Sequence, residues 1–316
     1  MTAQEAELDD LAEQLGMAGI AAFCPTTLSA PLPDLLKSVE RLGRWMRSQE
    51  SAAGKALPLG IHLEGPFIHP EACGAHPPGA IQVFRMKTLE KLWEASQGTL
   101  KILTVAPDRL KPTEILALAR WCREKKVHLS AGHTRVTQAE ATQAFDLGFR
   151  GVTHAWNAMG FHHRDPGLLG AAVGRKEVWI EQIIDQIHVD PTVIHWMTQL
   201  HSNGLCFVSD CAPAAAARAG KWCGFGPNLQ VRAKDGACYT KKGHLAGGGI
   251  LLPQTYLNWL DFELKNHSVN YTELLRRSLP WVTEQPLKAL RVSISAKDLP
   301  VQLEWDLARP RFRARF

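Results

Sequence analysis

Val127-His128-Leu129-Ser130-Ala131-Gly132-His133-Thr134-Arg135-Val136-Thr137-Gln138-Ala139-Glu140 opens a unit that stops at Gly148 and restarts at Gly151-Val152-Thr153-His154. Its first four residues read as a buried strand. Thr137 and Glu140 have capping-box spacing: the threonine hydroxyl accepts from the amides that open a helix, and the glutamate reaches back to the cap. Gly148 ends that helix, because glycine takes the left-handed conformation of a helix stop without strain. A strand, a helix and a second strand in so short a span imply a parallel pair joined by a helical crossover.

The same rhythm continues outward. β-rich apolar runs recur at 20–24, 59–63, 100–105, 127–130, 151–154, 178–184 and 205–209, with helical patterns between most of them. One helix begins at Asp190-Pro191, a cap followed by proline at the first helical position, and stops near Gly204. This alternation predicts a parallel α/β sheet, and seven strands are one short of an eight-stranded (β/α) barrel. Past Asp210 the pattern changes. Residues 229–233, the turn Asp235-Gly236 and residues 237–240 read as a hairpin, helical periodicity covers 256–265 and 272–279, and 301–305 with Phe312 look like strand material. The expected plan is a TIM-type (β/α) barrel over 1–290 with a β-hairpin insertion near 225–245, then a strand segment over 291–316.

Composition narrows the function classes. The chain has 316 residues, 45% of them hydrophobic and 21% charged, which supplies one large core and gives no sign of disorder. The net charge of +5 is scattered. The densest basic cluster, Arg309-Pro310-Arg311-Phe312-Arg313-Ala314-Arg315, reads as a solvated end, and no nucleic-acid-binding motif accompanies it. A mildly basic protein also suits a phosphorylated small molecule. The acidic start is no signal peptide, and no apolar run is long enough to span a membrane. Seven cysteines without a CxxC pair predict free thiols and a reducing, cytoplasmic setting.

The chemistry collects at the strand ends. Residues 59–63 lead into Glu64, 127–130 into His133, 151–153 into His154, 178–184 into Asp185 and His188, and 205–209 into Asp210. In a parallel barrel all these ends open on one face, where active sites lie. Two imidazoles and a carboxylate suit a zinc-like ion with a position left for water, and a further carboxylate can move protons. Taken singly each has a plainer reading. A histidine is more often a satisfied core residue than a ligand, Glu64 could cap a loop, and Asp210 before Cys211-Ala212-Pro213 could form an ordinary turn.

The run Gly60-Ile61-His62-Leu63-Glu64-Gly65-Pro66-Phe67-Ile68 resembles the signature of the N-acetylglucosamine-6-phosphate deacetylases, in the amidohydrolase superfamily. In order follow Cys73-Gly74-Ala75-His76, Ser130-Ala131-Gly132-His133-Thr134, Thr153-His154-Ala155-Trp156-Asn157-Ala158-Met159 and Arg164-Asp165-Pro166-Gly167. Then come Asp185-Gln186-Ile187-His188-Val189, Val208-Ser209-Asp210 and Leu245-Ala246-Gly247-Gly248, with Phe23-Cys24-Pro25-Thr26-Thr27 upstream. Each string resembles a family landmark, and the ordered set covers roughly residues 15–290. The resemblance implies that Glu64, His133 and His154 bind one divalent cation, Zn²⁺ first and Fe²⁺, Mn²⁺ or Co²⁺ as alternatives. It implies Asp210 as the proton carrier and His76 as a substrate and oxyanion contact. Asn157, Ala158 and His188 would be substrate-binding, and Arg164 would reach the phosphate in a neighbouring subunit's site, so a homodimer is expected. His62 is read as a supporting residue. His162-His163 could touch phosphate or be plain loop residues, and the ten tryptophans are read as core and interface mass.

The resemblance also carries departures. Family members begin with a small β-sandwich portion and a first barrel strand that often ends in a His-x-His-like pair; Met1 starts after that point. The expectation is therefore an incomplete barrel lacking its first strand, with an unpaired edge, a single metal, and 291–316 as a remnant of the sandwich. Cys73 stands where the family has lysine, Gln186 where it has glycine and Gly248 where it has serine. The expected reaction is hydrolysis of the N-acetyl group of N-acetylglucosamine-6-phosphate to glucosamine-6-phosphate and acetate. The alternatives are a related substrate such as N-acetylgalactosamine-6-phosphate, or a catalytically impaired sugar-phosphate-binding homologue.

Overall fold

The computed structural model describes residues 5–49, 52–217, 220–226, 229–295, 298–306 and 311–315. Seven parallel strands pair in chain order into one curled sheet: Thr26–Thr27, Ile61–Glu64, Leu100–Val105, His128–Ala131, Gly151–Val152, Trp179–Ile183 and Leu205–Val208. A helix lies between each successive pair: Leu32–Ser48, Met86–Ala95, Pro112–Lys125, Gln138–Leu147, Gly167–Ala172 and Pro191–Leu200. The two edge strands do not pair with one another, so the described residues form an open (β/α) half-barrel.

The first strand lies later than the sequence suggests. Within 20–24 only Ala22–Phe23 is strand, and it pairs with Leu57–Pro58 outside the main sheet. Pro25 divides the run because it has no N–H for a ladder. Its carbonyl accepts from the His62 amide at 3.0 Å, and the chain joins the main sheet one residue on, at Thr26.

Period-two alternation sorts the two faces. Leu63, Leu103 and Leu129 stand in register on adjacent strands, fully buried in one core with Leu35, Leu118 and Phe145 of the helices. Glu64, Thr104 and Ser130 stand in register one residue further on and face the opposite, concave side. The caps explain where helices start and stop. Thr137 Oγ1 accepts from the Glu140 amide at 3.3 Å, and Glu140 Oε2 accepts from the Thr137 amide at 2.8 Å. Gly148 closes that helix at φ +131, where an added Cβ would lie 2.5 Å from that of Ala119. Asp190 caps Pro191–Leu200 by accepting from the Thr192 amide at 2.8 Å.

After Asp210 the hairpin Gln230–Lys234 and Ala237–Thr240 is the centre of a four-stranded antiparallel sheet, flanked by Cys223–Gly224 and Leu245–Gly248. Helices Leu252–Asn266 and Tyr271–Val282 then bring Trp259 and Trp281 edge-on to Phe207, at 5.0 and 5.1 Å. Strands Gln302–Trp305 and Phe312–Arg315 pair antiparallel and set Trp305 against Tyr256 at 5.4 Å. The basic end is thus part of a hairpin in which Arg311 pairs with Asp306 and Arg315 with Glu304; Arg309 and Pro310 lie outside the described residues. Among the described residues no helix is long and apolar enough to cross a membrane, and all seven cysteines are free thiols.

Candidate active site

The carboxyl ends of the strands bring Glu64, His133 and His154 together, all buried. Glu64 Oε1 lies 2.9 Å from His133 Nε2 and 2.8 Å from His154 Nε2, and the two nitrogens are 3.0 Å apart. The backbone turns sharply to aim these side chains. His133 and His154 have φ of +49 and +32, and Asp210, after the last strand, has +47. Non-glycine residues rarely hold that conformation, and where they do the strain commonly marks a functional site.

Hydrogen bonds fix two tautomers. His133 Nδ1 meets the Ala72 carbonyl at 2.8 Å. A carbonyl only accepts, so Nδ1 carries the proton and Nε2 turns a lone pair toward Glu64 and His154. His76 is the reverse: the Ser29 amide donates to its Nδ1 at 3.0 Å. Its proton therefore sits on Nε2, which points at Glu64 Oε1 from 4.0 Å. Burial, helped by the neighbouring imidazole of His133, pushes His76 down to about 3, so it stays a neutral donor. Ser29 and Ala72 escaped the sequence reading. Only the position of Ser29, just past Thr26–Thr27 at the same end of the sheet, hinted at it.

The trio fits a cation. Lone pairs and a carboxylate oxygen converging within 3.0 Å repel one another unless positive charge sits among them. His154 shows that demand. Burial works against its protonation, yet the Glu64 hydrogen bond and charge lift it to about 9. Glu64, despite burial, is held well below the usual carboxylate range by the same two imidazoles. Nδ1 of His154 is buried and has no partner among the described residues.

Asp210 lies close enough to this group for their charges to interact, and solvent reaches the residue. Protein packed around its carboxyl and the charge of Glu64 push it up to about 6, against the pull of His154, His188 and His133. The antiparallel sheet holds it from behind. Its carbonyl accepts from the Gly248 amide at 2.8 Å, and a Cβ on Gly247 would lie 2.6 Å from that same oxygen. The His188 side chain is buried, with Nδ1 at 2.6 Å from Asp185 Oδ2, so Nε2 is the ring nitrogen not used in that bond. Burial would raise Asp185, but the hydrogen bonds from His188 and Ile187 hold its carboxyl below its ordinary value.

The remaining sequence candidates lie further out. Asn157 Nδ2 donates to the carbonyls of His154 and Ala155 at 3.2 and 3.1 Å, so its oxygen is the end turned away. The Ala158 carbonyl accepts from the Thr134 amide at 3.2 Å. Arg164 is exposed on a loop beside Phe161 and His163 and does not join the buried trio. His62 lies beneath the trio, and its Nε2 meets Thr104 Oγ1 at 2.8 Å in a hydroxyl chain that continues to Thr153 and Ser130, each step 2.7 Å. Glu181, unread in the sequence, sits by the His154 amide with its carboxyl pushed up to about 7, chiefly by burial.

These shifts set how the metal-free protein responds to acid. Burial pushes His62 and His128 down to about 4 and His76 to about 3, whereas the unfolded chain protonates each near 6.5. Between those values the unfolded state binds more protons, so stability is present above 6.5 and is lost as pH falls toward 4. Glu181 and Asp210, raised to about 7 and about 6, work the other way, two groups against three. Well below 6.5 His154 is protonated in both states and leaves the slope unchanged. The Tm of chelator-treated protein is expected to fall as pH drops from about 6 to about 4. A Tm that stays flat or rises would contradict the neutral burial of the three imidazoles.

Comparison with known proteins places the chain. It is 31% identical over 255 residues to N-acetylgalactosamine-6-phosphate deacetylase of Escherichia coli O157:H7, covering 80% of this chain and 66% of that one. It is 30% identical over 249 residues to N-acetylglucosamine-6-phosphate deacetylase of Bacillus subtilis strain 168, covering 78% and 62%. The chain belongs to the N-acetylglucosamine-6-phosphate deacetylase family. Solved structures of this family agree. A mutant N-acetyl-D-glucosamine-6-phosphate deacetylase of Mycobacterium smegmatis, in complex with N-acetyl-D-glucosamine-6-phosphate, superposes with a TM-score of 0.80 at 25% identity, covering 91% of this chain and 73% of that one. The Thermotoga maritima deacetylase gives 0.75 at 27% identity, covering 89% and 72%. The chain spans slightly under two thirds of the length of the curated relatives above, 62–66%. No family model matches it.

Proposed function

We propose that this chain removes the acetyl group of N-acetylglucosamine-6-phosphate, giving glucosamine-6-phosphate and acetate. The observation that carries this reading is the convergence of Glu64, His133 and His154 within 3.0 Å, with the donor His76 beside them. Glu64, His133 and His154 would hold one divalent cation; two imidazoles and a carboxylate suit Zn²⁺ first, and also Fe²⁺, Mn²⁺ or Co²⁺. A cation held there supplies Lewis acidity to the amide carbonyl and makes a water easier to deprotonate. Asp210 takes a proton from the attacking water as the water oxygen bonds to the carbonyl carbon. It then gives that proton to the sugar nitrogen as the C–N bond breaks. His76 Nε2–H donates to the carbonyl oxygen as negative charge develops on it. Asp185 orients His188 toward the substrate, and Asn157 and Ala158 offer polar groups to the sugar phosphate.

Arg164 is exposed on its loop, with Phe161 exposed beside it, which suits an arm that reaches a phosphate across a homodimer interface. Arg164→Ala is expected to raise KM for the phosphorylated substrate about tenfold or more, through loss of a charge-assisted contact. Turnover of unphosphorylated N-acetylglucosamine should not change. Equal losses on both substrates would remove Arg164 from phosphate recognition. Free thiols and a phosphorylated sugar substrate suit a cytoplasmic setting.

His76→Ala is expected to lower kcat about 10²-fold with KM little changed, because the donor acts on charge that develops in the transition state. Steady-state kinetics check it, and an effect on KM alone would make His76 a ground-state contact. The whole reading is tested by acetate release from N-acetylglucosamine-6-phosphate and its galactosamine epimer, with metal content measured on the same sample. Metal-dependent release supports it. A folded, metal-loaded chain that releases acetate from neither would overturn it.

A further inference from the structure

A second trio of ligand-type side chains lies outside the active site. His195 comes from the helix Pro191–Leu200, Glu263 from the last turn of the helix Leu252–Asn266, and His267 caps that helix. One nitrogen or oxygen from each lies within 4.8 Å of the others. His195 Nδ1 meets Glu263 Oε2 at 2.8 Å, and the rings of His195 and His267 stack at 3.7 Å. This group shares no residue with the catalytic trio.

The hydrogen bonds here do not close. Glu263 is only 1% exposed, yet its Oε1 has no partner among the described residues, and neither does the buried Nε2 of His267. Buried polar atoms in folded proteins are nearly always paired. The carboxylate is also badly placed for its own helix, since the last turn presents the negative end of the dipole. A simple ion pair of Glu263 with protonated His195 uses one carboxylate oxygen and leaves the other oxygen and His267 unanswered. A dication answers all three at once, taking Glu263 and one nitrogen from each histidine.

We infer that His195, Glu263 and His267 form a structural site for a transition-metal dication of the zinc class, which ties the two helices together. Ligand bonds of about 2.0–2.2 Å bring tetrahedral donor atoms to about 3.4 Å apart, so the two rings tilt out of their stack when the ion binds. His267, at a helix end, and His195, partly open to solvent, are the members with room to do so.

The test titrates the metal-depleted full chain with Zn²⁺ by calorimetry, with metal analysis of each sample. Wild type is expected to take up about two ions per chain, His267→Ala about one, His133→Ala about one, and the double variant about none. Zn²⁺ should raise the Tm of His133→Ala and leave that of the double variant unchanged. His267→Ala should keep its deacetylase activity, which separates this site from the catalytic one. If His267→Ala folds poorly, the near-isosteric Glu263→Gln should show the same loss of one ion. The inference is overturned if His133→Ala binds no zinc, or if wild type and the variants of this trio take up equal amounts.

Discussion

Asp210→Asn is expected to lower kcat about 10³-fold, within the range for removing a positioned proton carrier, while KM and metal content stay close to wild type. The substitution keeps the shape of the side chain and removes only its ability to take a proton. The backbone that positions it, pinned by Gly247 and Gly248 at φ +47, is untouched. Asp210 is also the group whose titration should shape the pH profile. Its carboxyl is pushed up to about 6 by the protein around it and by Glu64. The base works only when ionised, so kcat/KM should rise with pH through that region, and a bound cation would move the midpoint lower. The residual activity of Asp210→Asn should lack this limb. The measurement is kcat/KM between about pH 4 and about pH 8 for both proteins. Activity of the variant within tenfold of wild type, with the acid limb kept, would assign the proton transfer to another group.

The strands and their ends were readable because two independent signals coincided. Apolar β-rich runs repeated at regular intervals, and a carboxylate or imidazole followed one after another at the same end. A parallel sheet turns that linear repetition into one cluster, which is why Glu64, His133 and His154 meet although up to 90 residues separate them. The capping box at Thr137 and the turn Asp235-Gly236 were legible because their geometry is local. What was hidden depends on tertiary contact. No pattern says that the Ala72 carbonyl selects the tautomer of His133, or that the Ser29 amide selects the opposite one in His76. Glu181 looked like an ordinary strand residue, and only burial beside His154 makes its carboxyl unusual. Pro25 was visible, yet its division of the first run into two pairings follows from where Leu57–Pro58 lies. His195, Glu263 and His267 lie on two helices with a hairpin and sheet between them in sequence, so nothing in their spacing joins them.

Glu64→Gln should have the second large effect, and its cause can be seen without turnover. Glu64 is the only carboxylate of the trio and supplies its negative charge. Replacing it with a neutral amide should weaken metal binding by more than about 10²-fold, since loss of an outer contact to a metal ligand already costs about 10–100-fold. Activity at limiting metal should fall in step and recover partly at high metal. The metal-free protein gives a second readout. His154 is lifted to about 9 by Glu64, against burial that acts to lower it. Without the carboxylate, burial is left as the dominant influence, because a buried imidazolium without its partner is costly and the ring neutralises instead. The His154 titration, followed by NMR of its ring nitrogens, should drop below 6.5, the ordinary histidine value. The sign of the stability change follows. Wild-type His154 contributes stability that is complete below 6.5 and is lost as pH rises through about 9, so Glu64→Gln should destabilise the metal-free protein most below 6.5 and least above 9. A variant that keeps its metal affinity and leaves His154 protonated at pH 8 would show that the charge holding the site together comes from Asp210 or Glu181, the other carboxylates that act on His154.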